Sequence, residues 1–226
     1  MAQSFSDQKI IESWCKNVDP WTAAVRQGQI PSRKLVTNQA IVDAIASQAP
    51  RSVLDIGCGE GWLVRELTAR GMIATGIDGV PGLIEQAQQW GQGEFKVVTY
   101  EAIGQGHFTT AVDVAVCNFS LIGKDAVDGV IGAVGDLLTP NGVVIVQTLH
   151  PVVACGELPY QDGWRSGAWI GLGDDFCDPA PWYFRTLASW LQLFVRSGLR
   201  LIDLREPIHP QTQRPASVIF IAEVVH

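Results

Sequence analysis

The chain is short of charge, and that absence is the first constraint. Only 17 % of its 226 residues are charged while 47 % are hydrophobic. A disordered segment has the reverse balance, so a folded chain with a large core is expected, of a length that fits one domain. No run of Lys and Arg is long enough to track a phosphate backbone. With 16 basic against 23 acidic side chains and a formal charge of −7, a broad nucleic-acid surface is not expected. No apolar run approaches the roughly 18 residues of a membrane span. Met1 to Lys9 lacks a basic stretch followed by an apolar one, so no signal peptide is expected. The five cysteines, Cys15, Cys58, Cys117, Cys155 and Cys177, form no CxxC pair. Reduced thiols and a cytoplasmic location are the simplest expectation. His107, His150, His209 and His226 stand alone, and no carboxylates cluster at ligand spacing, so no metal is expected. Repeats and low-complexity tracts are also absent.

What is present is a change of pattern near residue 51. Before it, Ile10, Ile11, Trp14 and Val18 recur at helical spacing after a cap at Ser6 or Asp7. Asp19-Pro20 is expected to end that helix. Pro31-Ser32-Arg33 leads into another, with Leu35, Ile41, Ile45 and Ala46 available for one face. After it, short apolar runs alternate with helical ones. Strands are expected near 51–56, 72–77, 95–99, 112–117, 142–148, 199–205 and 216–224, and helices near 61–70, 80–90, 125–138 and 182–197. That alternation predicts an α/β fold, a largely parallel sheet with helices on both faces, binding ligands at its strand C-terminal ends. The last two strands have no helix between them, only Arg205 to Pro215 with three prolines, so an antiparallel pair is expected there. Residues 150–181 fit no regular element. Their glycines, prolines, Tyr160, Trp164, Trp169 and Phe176 suggest a packed lid over a pocket.

The most informative segment is Val53-Leu54-Asp55-Ile56-Gly57-Cys58-Gly59-Glu60-Gly61. An apolar strand runs into three alternating glycines, and the next apolar run ends in Asp78, 21 residues after Gly57. Glycine permits the close approach and positive φ that a ligand against such a turn needs. A dinucleotide GxGxxG would need a small residue at position 62, which is Trp62, and a phosphate loop would need a following Lys-Ser or Lys-Thr, which is missing. Both departures point away from pyrophosphate ligands.

These residues resemble the class I methyltransferases that use S-adenosylmethionine. The family's acidic residue and GxGxG turn are matched by Asp55, Gly57, Gly59 and Gly61, and its acidic residue ending strand two by Asp78. The resemblance implies a Rossmann-like seven-stranded sheet with an antiparallel last strand. It implies one methyltransferase domain over 1–226: a helical cap at 1–49, a cofactor-binding half at 50–149, a lid-like insertion at 150–181, and a C-terminal helix and strand pair at 182–226. It also implies that Gly57, Cys58 and Gly59 present backbone to the methionine end of S-adenosyl-L-methionine. Asp55 would organise its amino group and Asp78 its ribose hydroxyls. Gly79 and Val80 would border the adenine, Glu101, Ala102 and Ile103 would hold its edge, and Asn118 and Phe119 would lie beside the transferable methyl. Plainer roles stay open: Asp78 as a cap before Pro81, Glu101 as a solvated loop residue, Asn118 as a backbone cap, and Cys58 and Cys117 as core.

A sulfonium methyl is already activated, so the protein's main task is alignment and exclusion of water. For an oxygen acceptor His150 is the candidate base, since it ends strand five at the ligand edge; a structural role before Pro151 is the alternative. Asn118-Phe119-Ser120-Leu121 lacks the Pro-Pro-aromatic pattern of nucleic-acid amino methyltransferases, and no Pro-Cys occurs anywhere. A small, aromatic or acidic acceptor is therefore expected. The Leu149-His150-Pro151 stretch, the Tyr160 to Arg165 region and the Pro181 to Thr186 stretch are similar to bacterial quinone-type methyltransferases. Tyr160, Trp164, Arg165, Trp182, Tyr183 and Arg185 would line the acceptor pocket, or else hold the lid together. Trp14, Trp21 and Arg33 are weaker candidates for closing the site. The rivals are a nicotinamide oxidoreductase and a non-catalytic binding protein that kept the fold.

Overall fold

A computed structural model describes residues 5–225; His226, among the isolated histidines, lies outside the described residues, as do residues 1–4. Helix α1 (Asp7–Lys16) starts where the Ser6 hydroxyl accepts the Lys9 amide at 3.3 Å. Helix α2 (Val18–Arg26) follows after Asn17. The break thus falls before Asp19-Pro20, and Pro20 sits in the first turn of α2, where a missing N–H costs nothing. A π-helical turn at Arg33–Thr37 leads into α3 (Asn38–Ala46).

Alternation then begins, with β1 (Ser52–Ile56), α4 (Trp62–Ala69), β2 (Ile73–Asp78), α5 (Pro81–Gln89), β3 (Glu94–Val97) and α6 (Tyr100–Gly104). It continues through β4 (Val112–Asn118), α7 (Asp125–Ala133), β5 (Leu138–Thr148) and the short α8 (Pro151–Ala154). Strands β6 (Gly163–Arg165) and β7 (Trp182–Phe184) form a separate antiparallel ribbon. Helix α9 (Leu187–Arg196), β8 (Leu199–Arg205) and β9 (Val218–Val224) complete the fold.

Seven strands form one sheet in the order β3-β2-β1-β4-β5-β9-β8. Strands β1 to β5 are parallel, and β9 runs antiparallel to both β5 and β8. The order reverses between β1 and β4, which opens a crevice at the strand C-terminal ends. Alternation along each strand divides the core between the two faces. Leu54, Ile56, Ala115, Cys117, Val144, Val146 and Phe220 pack with α7 and α9. Val53, Val114, Val116, Val143, Ile145 and Ile219 pack with α3 and α4. Trp190 is buried against Phe194 and Phe220.

Two expectations change. Residues 182–197 do not form one helix: Trp182-Tyr183-Phe184 is a strand, consistent with the β preference of aromatic residues, and α9 starts only after Thr186 accepts the Ser189 amide at 3.1 Å. Residues 150–181 are not devoid of regular structure, since they contain α8 and β6. Among the described residues no helix is long and apolar enough to cross a membrane, and no group of His, Cys, Asp or Glu could hold a metal ion.

Candidate functional site

The glycine turn closes β1 against its neighbours. Gly57 and Gly61 have φ of 78° and 85°, a region other residues enter only with strain. Space is as restrictive as conformation. A Cβ on Gly57 would stand 2.4 Å from the Ser120 Cβ, and one on Gly61 would stand 2.6 Å from the Phe95 ring. The amides of Gly57 and Cys58 both donate to the Ile77 carbonyl, at 2.7 and 3.0 Å. Asp78 ties the turn to α5: its Oδ2 accepts the Gly59 amide and its Oδ1 the Val80 amide, both at 2.9 Å. Burial raises the Asp78 pKa, and the backbone donors at Val80, Gly59 and Gly79 oppose the rise.

Over this turn lies a cavity of about 720 Å³, within the size range of small-molecule sites. Beside Gly59 it is charged and unsatisfied. Asp55 is buried, and its pKa is raised to about 8 by burial and then by Asp78, with Arg33 opposing. Its Oδ1 has no hydrogen-bond partner among the described residues, nor has Glu60 Oε1 or Arg33 Nη2. Glu60 Oε2 is held by Arg26 at 3.1 Å and by Arg65 at 2.5 Å. Arg33 donates through Nε to Asn38 at 3.2 Å and lies 5.0 Å over the Trp62 ring. Burial lowers its pKa to about 10, against the pull of Glu60 and Asp55, which leaves it cationic at neutral pH. A guanidinium that donates and two carboxyl groups that accept, each with an unpartnered buried atom, suit the two ends of an amino-acid zwitterion.

Towards β3, the cavity is lined by Ile11, Gly79, Val80, Leu83, Thr99, Tyr100 and Glu101. Ala102 and Ile103 do not line it; the Ala102 amide donates to the Thr99 hydroxyl at 3.1 Å, and Ile103 belongs to the core. Glu101 is exposed and accepts Gln105 Nε2 at 2.9 Å. Burial raises the pKa of the Tyr100 hydroxyl, which donates to the Ser120 carbonyl at 3.1 Å. Burial also raises the Cys58 and Cys117 thiols, which keeps both protonated.

Towards β5, Asn118 and Phe119 line the cavity. Asn118 Oδ1 is buried without a partner, and Phe119 adopts φ 54°, a strained conformation for an aromatic residue. Of the six residues expected to face an acceptor, Trp182, Tyr183 and Arg185 line the cavity, and Tyr160, Trp164 and Arg165 do not. The Tyr160 hydroxyl accepts the Leu187 amide at 3.0 Å. Trp164 packs edge-on against Tyr183 with ring centroids 5.5 Å apart. Arg165 donates to the carbonyls of Ala154, Cys155 and Pro159 and lies 3.6 Å over the Phe184 ring. His150 is buried outside the cavity lining, with Nε2 2.7 Å from Glu206 Oε1 and Nδ1 unpartnered.

The roof joins α1 to the segment before β7. The Asn17 side chain donates to the Cys177 carbonyl at 2.8 Å and accepts the Cys177 amide at 2.9 Å, while Trp14 meets Trp169 edge-on. Sequence reasoning missed Glu60, Tyr100, Ser120 and Ile170 in the lining. Glu60 lies inside the glycine motif and Ser120 follows Asn118-Phe119, so motif adjacency was the available signal for those two. Ile170 carries no such signal.

Comparison with known proteins agrees with this fold. A family described as "Methyltransferase domain" matches residues 32–204. A ubiquinone biosynthesis O-methyltransferase of Pseudomonas putida (strain GB-1) is 32 % identical over 114 residues, covering 48 % of this chain and 49 % of that protein. Its counterpart in Xylella fastidiosa (strain 9a5c) is 28 % identical, covering 74 % of this chain and 69 % of that one. The chain spans about half the length of the Pseudomonas relatives it matches. An S-adenosylmethionine-dependent methyltransferase from Clostridium acetobutylicum ATCC 824 shares the fold with a TM-score of 0.64 at 13 % identity, covering 91 % of this chain and 97 % of its own. One from Mesorhizobium loti has a TM-score of 0.61 at 19 % identity, covering 80 % and 95 %. The seven-stranded order, the glycine turn and the match over 32–204 together make this chain a member of the methyltransferase-domain family, with the class I fold of S-adenosylmethionine-dependent methyltransferases.

Proposed function

We propose that this chain transfers a methyl group from S-adenosylmethionine to a small molecule received by the aromatic wall beyond Phe119. The observation that carries the reading is the set of unpartnered buried atoms on Arg33, Asp55 and Glu60 around the glycine turn. Arg33 would hold the carboxylate of the methionine moiety and Asp55 its ammonium. Asp78 already accepts two backbone amides and keeps lone pairs for the ribose hydroxyls. Ile11, Val80 and Leu83 offer the adenine apolar contact on the β3 side, beside Thr99 and Glu101.

The bound cofactor supplies an activated methyl on a sulfonium. Alignment of an acceptor and exclusion of water are the chain's part, and such positioning is worth up to about 7–11 kcal/mol. Phe119 is fixed by its amide, which donates to the Gln147 carbonyl at 2.8 Å, and Ser120 by its hydroxyl, which donates to the Ile56 carbonyl at 2.6 Å. Trp14 and Trp21 of the N-terminal helices and Trp169 and Ile170 of the insertion roof the site together. His150 serves in this reading to fix the turn into α8 through Glu206. The O-methyltransferase names of the sequence relatives support an oxygen acceptor.

Thermal-shift measurements with S-adenosylmethionine, S-adenosylhomocysteine and NAD test the ligand class. Both sulfur nucleosides are expected to raise the melting temperature and NAD is not; stabilisation by NAD alone would overturn the reading. Transfer of labelled methyl into a metabolite extract, abolished by Asp78→Ala, tests catalysis. Firm binding without transfer in any extract would leave a binding protein instead.

A further inference from the structure

Charge is distributed unevenly along the cavity. Asp55, Glu60, Asp78 and Glu101 reach it from the ends of β1, β2 and β3, and Arg33 reaches it from the cap. Beyond β4 the wall is Phe119, Leu121, Ile122, Trp169, Trp182 and Tyr183. Among the described residues only two charged ones accompany that wall, Asp7 and Arg185, and both are engaged. Asp7 uses one oxygen on the Lys124 amide at 2.7 Å and the other on the Ala126 amide at 2.8 Å, at the N-terminus of α7. There a carboxylate is favoured by the helix dipole. Arg185 donates to the carbonyls of Gly123 at 2.7 Å and Lys124 at 2.9 Å, and pairs with Asp128 at 2.9 Å. Its guanidinium is covered by the rings of Tyr183 and Trp190.

Of the four fully buried, unpartnered polar atoms among the described lining residues, three lie on the charged side. The four belong to Arg33, Asp55, Glu60 and Asn118. Gln147 Oε1 and His150 Nδ1 are also unpartnered, but their residues do not line the cavity. An ionised group placed against Phe119, Leu121 and Trp182 would lose its hydration and find no free counter-charge, a far larger penalty than burying a hydroxyl. A flat apolar ring would gain contact with those aromatic side chains. Asn118 Oδ1 offers one acceptor, suited to a single O–H or N–H donor.

We propose that the acceptor compartment selects an uncharged, flat aromatic molecule bearing one O–H or N–H donor, and rejects its carboxylated counterpart. This rests on the methyl-transfer reading only for what fills the other half of the cavity. The test is calorimetric titration of the full chain, saturated with S-adenosylhomocysteine, at neutral pH. The probes are 2-naphthol and 3-hydroxy-2-naphthoate, which share a skeleton and a hydroxyl and differ by one carboxylate. The neutral probe is expected to bind at least about tenfold more tightly, and Trp182→Ala is expected to weaken it. Equal or tighter binding of the carboxylate, or no binding of either probe, would overturn the proposal. The two readings fail separately. If S-adenosylhomocysteine itself does not bind, the methyl-transfer reading is lost, and the same pair titrated into the ligand-free protein still decides the acceptor proposal.

Discussion

Where β1, β2 and β3 end, the cavity wall carries carboxylates and a guanidinium with unpartnered atoms; where β4 and β5 end, it carries aromatic rings and charged groups already paired within the fold. The first half is set mainly by one turn and the tips of adjacent strands, with Arg33 brought in from the cap. The second is assembled from segments far apart in sequence: α1, the loop after β4, and the ribbon of β6 and β7. A cofactor half defined by charge and an acceptor half defined by shape should respond differently to substitution.

The largest expected effect is at Asp78. Asp78→Ala removes the carboxylate that joins the Gly59 and Val80 amides. Hydrogen bonds to a charged group contribute about 1.5–3 kcal/mol each, so S-adenosylhomocysteine affinity should fall by a hundredfold or more, about 3 kcal/mol. Binding of a neutral aromatic probe should change little; equal losses in both would erase the division between the halves. Next comes Gly61→Ala. With φ at 85° and the Phe95 ring 2.6 Å from the added methyl, about 2 kcal/mol of stability should be lost in a urea titration. An unchanged midpoint would show that α4 and β3 adjust freely.

Legibility in the sequence follows the same division. The strand, glycine turn, helix and acidic strand tip are local, and periodicity with glycine spacing was enough to read them. The antiparallel end was legible because Arg205 to Pro215 leaves no room for a crossover helix. The β strand at Trp182–Phe184 was not, because its apolar run continues into α9 and its pairing with Gly163–Arg165 is a tertiary contact. The short α6 was not anticipated; its cap, Thr99, lies two residues after β3 with little polar punctuation. The fates of Arg165 and Arg185 were hidden for a physical reason. An arginine near a pocket reads as a ligand for anions, and only tertiary structure shows backbone carbonyls already occupying it.

A smaller effect sharpens the cofactor half. Arg33→Met should weaken S-adenosylhomocysteine about tenfold or more while leaving adenosine nearly unaffected, since one interaction with a carboxylate is lost. Equal weakening of both ligands would place Arg33 outside the amino-acid subsite. Smallest is a proton count. The Asp55 carboxyl is raised from 3.8 to about 8 in the folded chain, so between those values the fold holds a proton that the unfolded chain releases. Its contribution to stability is therefore present in acid and lost as pH rises towards about 8. An ammonium beside it reverses that shift, so ligand binding near neutrality should expel up to about one proton. Titration heats in phosphate and Tris buffers should differ accordingly, and the difference should vanish in Asp55→Asn.

A crystal structure of the complex with S-adenosylhomocysteine tests the central claim most directly. The ribose hydroxyls are expected within hydrogen-bond distance of Asp78, with the amino-acid group between Asp55 and Arg33. A nucleoside bound away from Asp78, or an amino-acid group far from Arg33, would contradict the account.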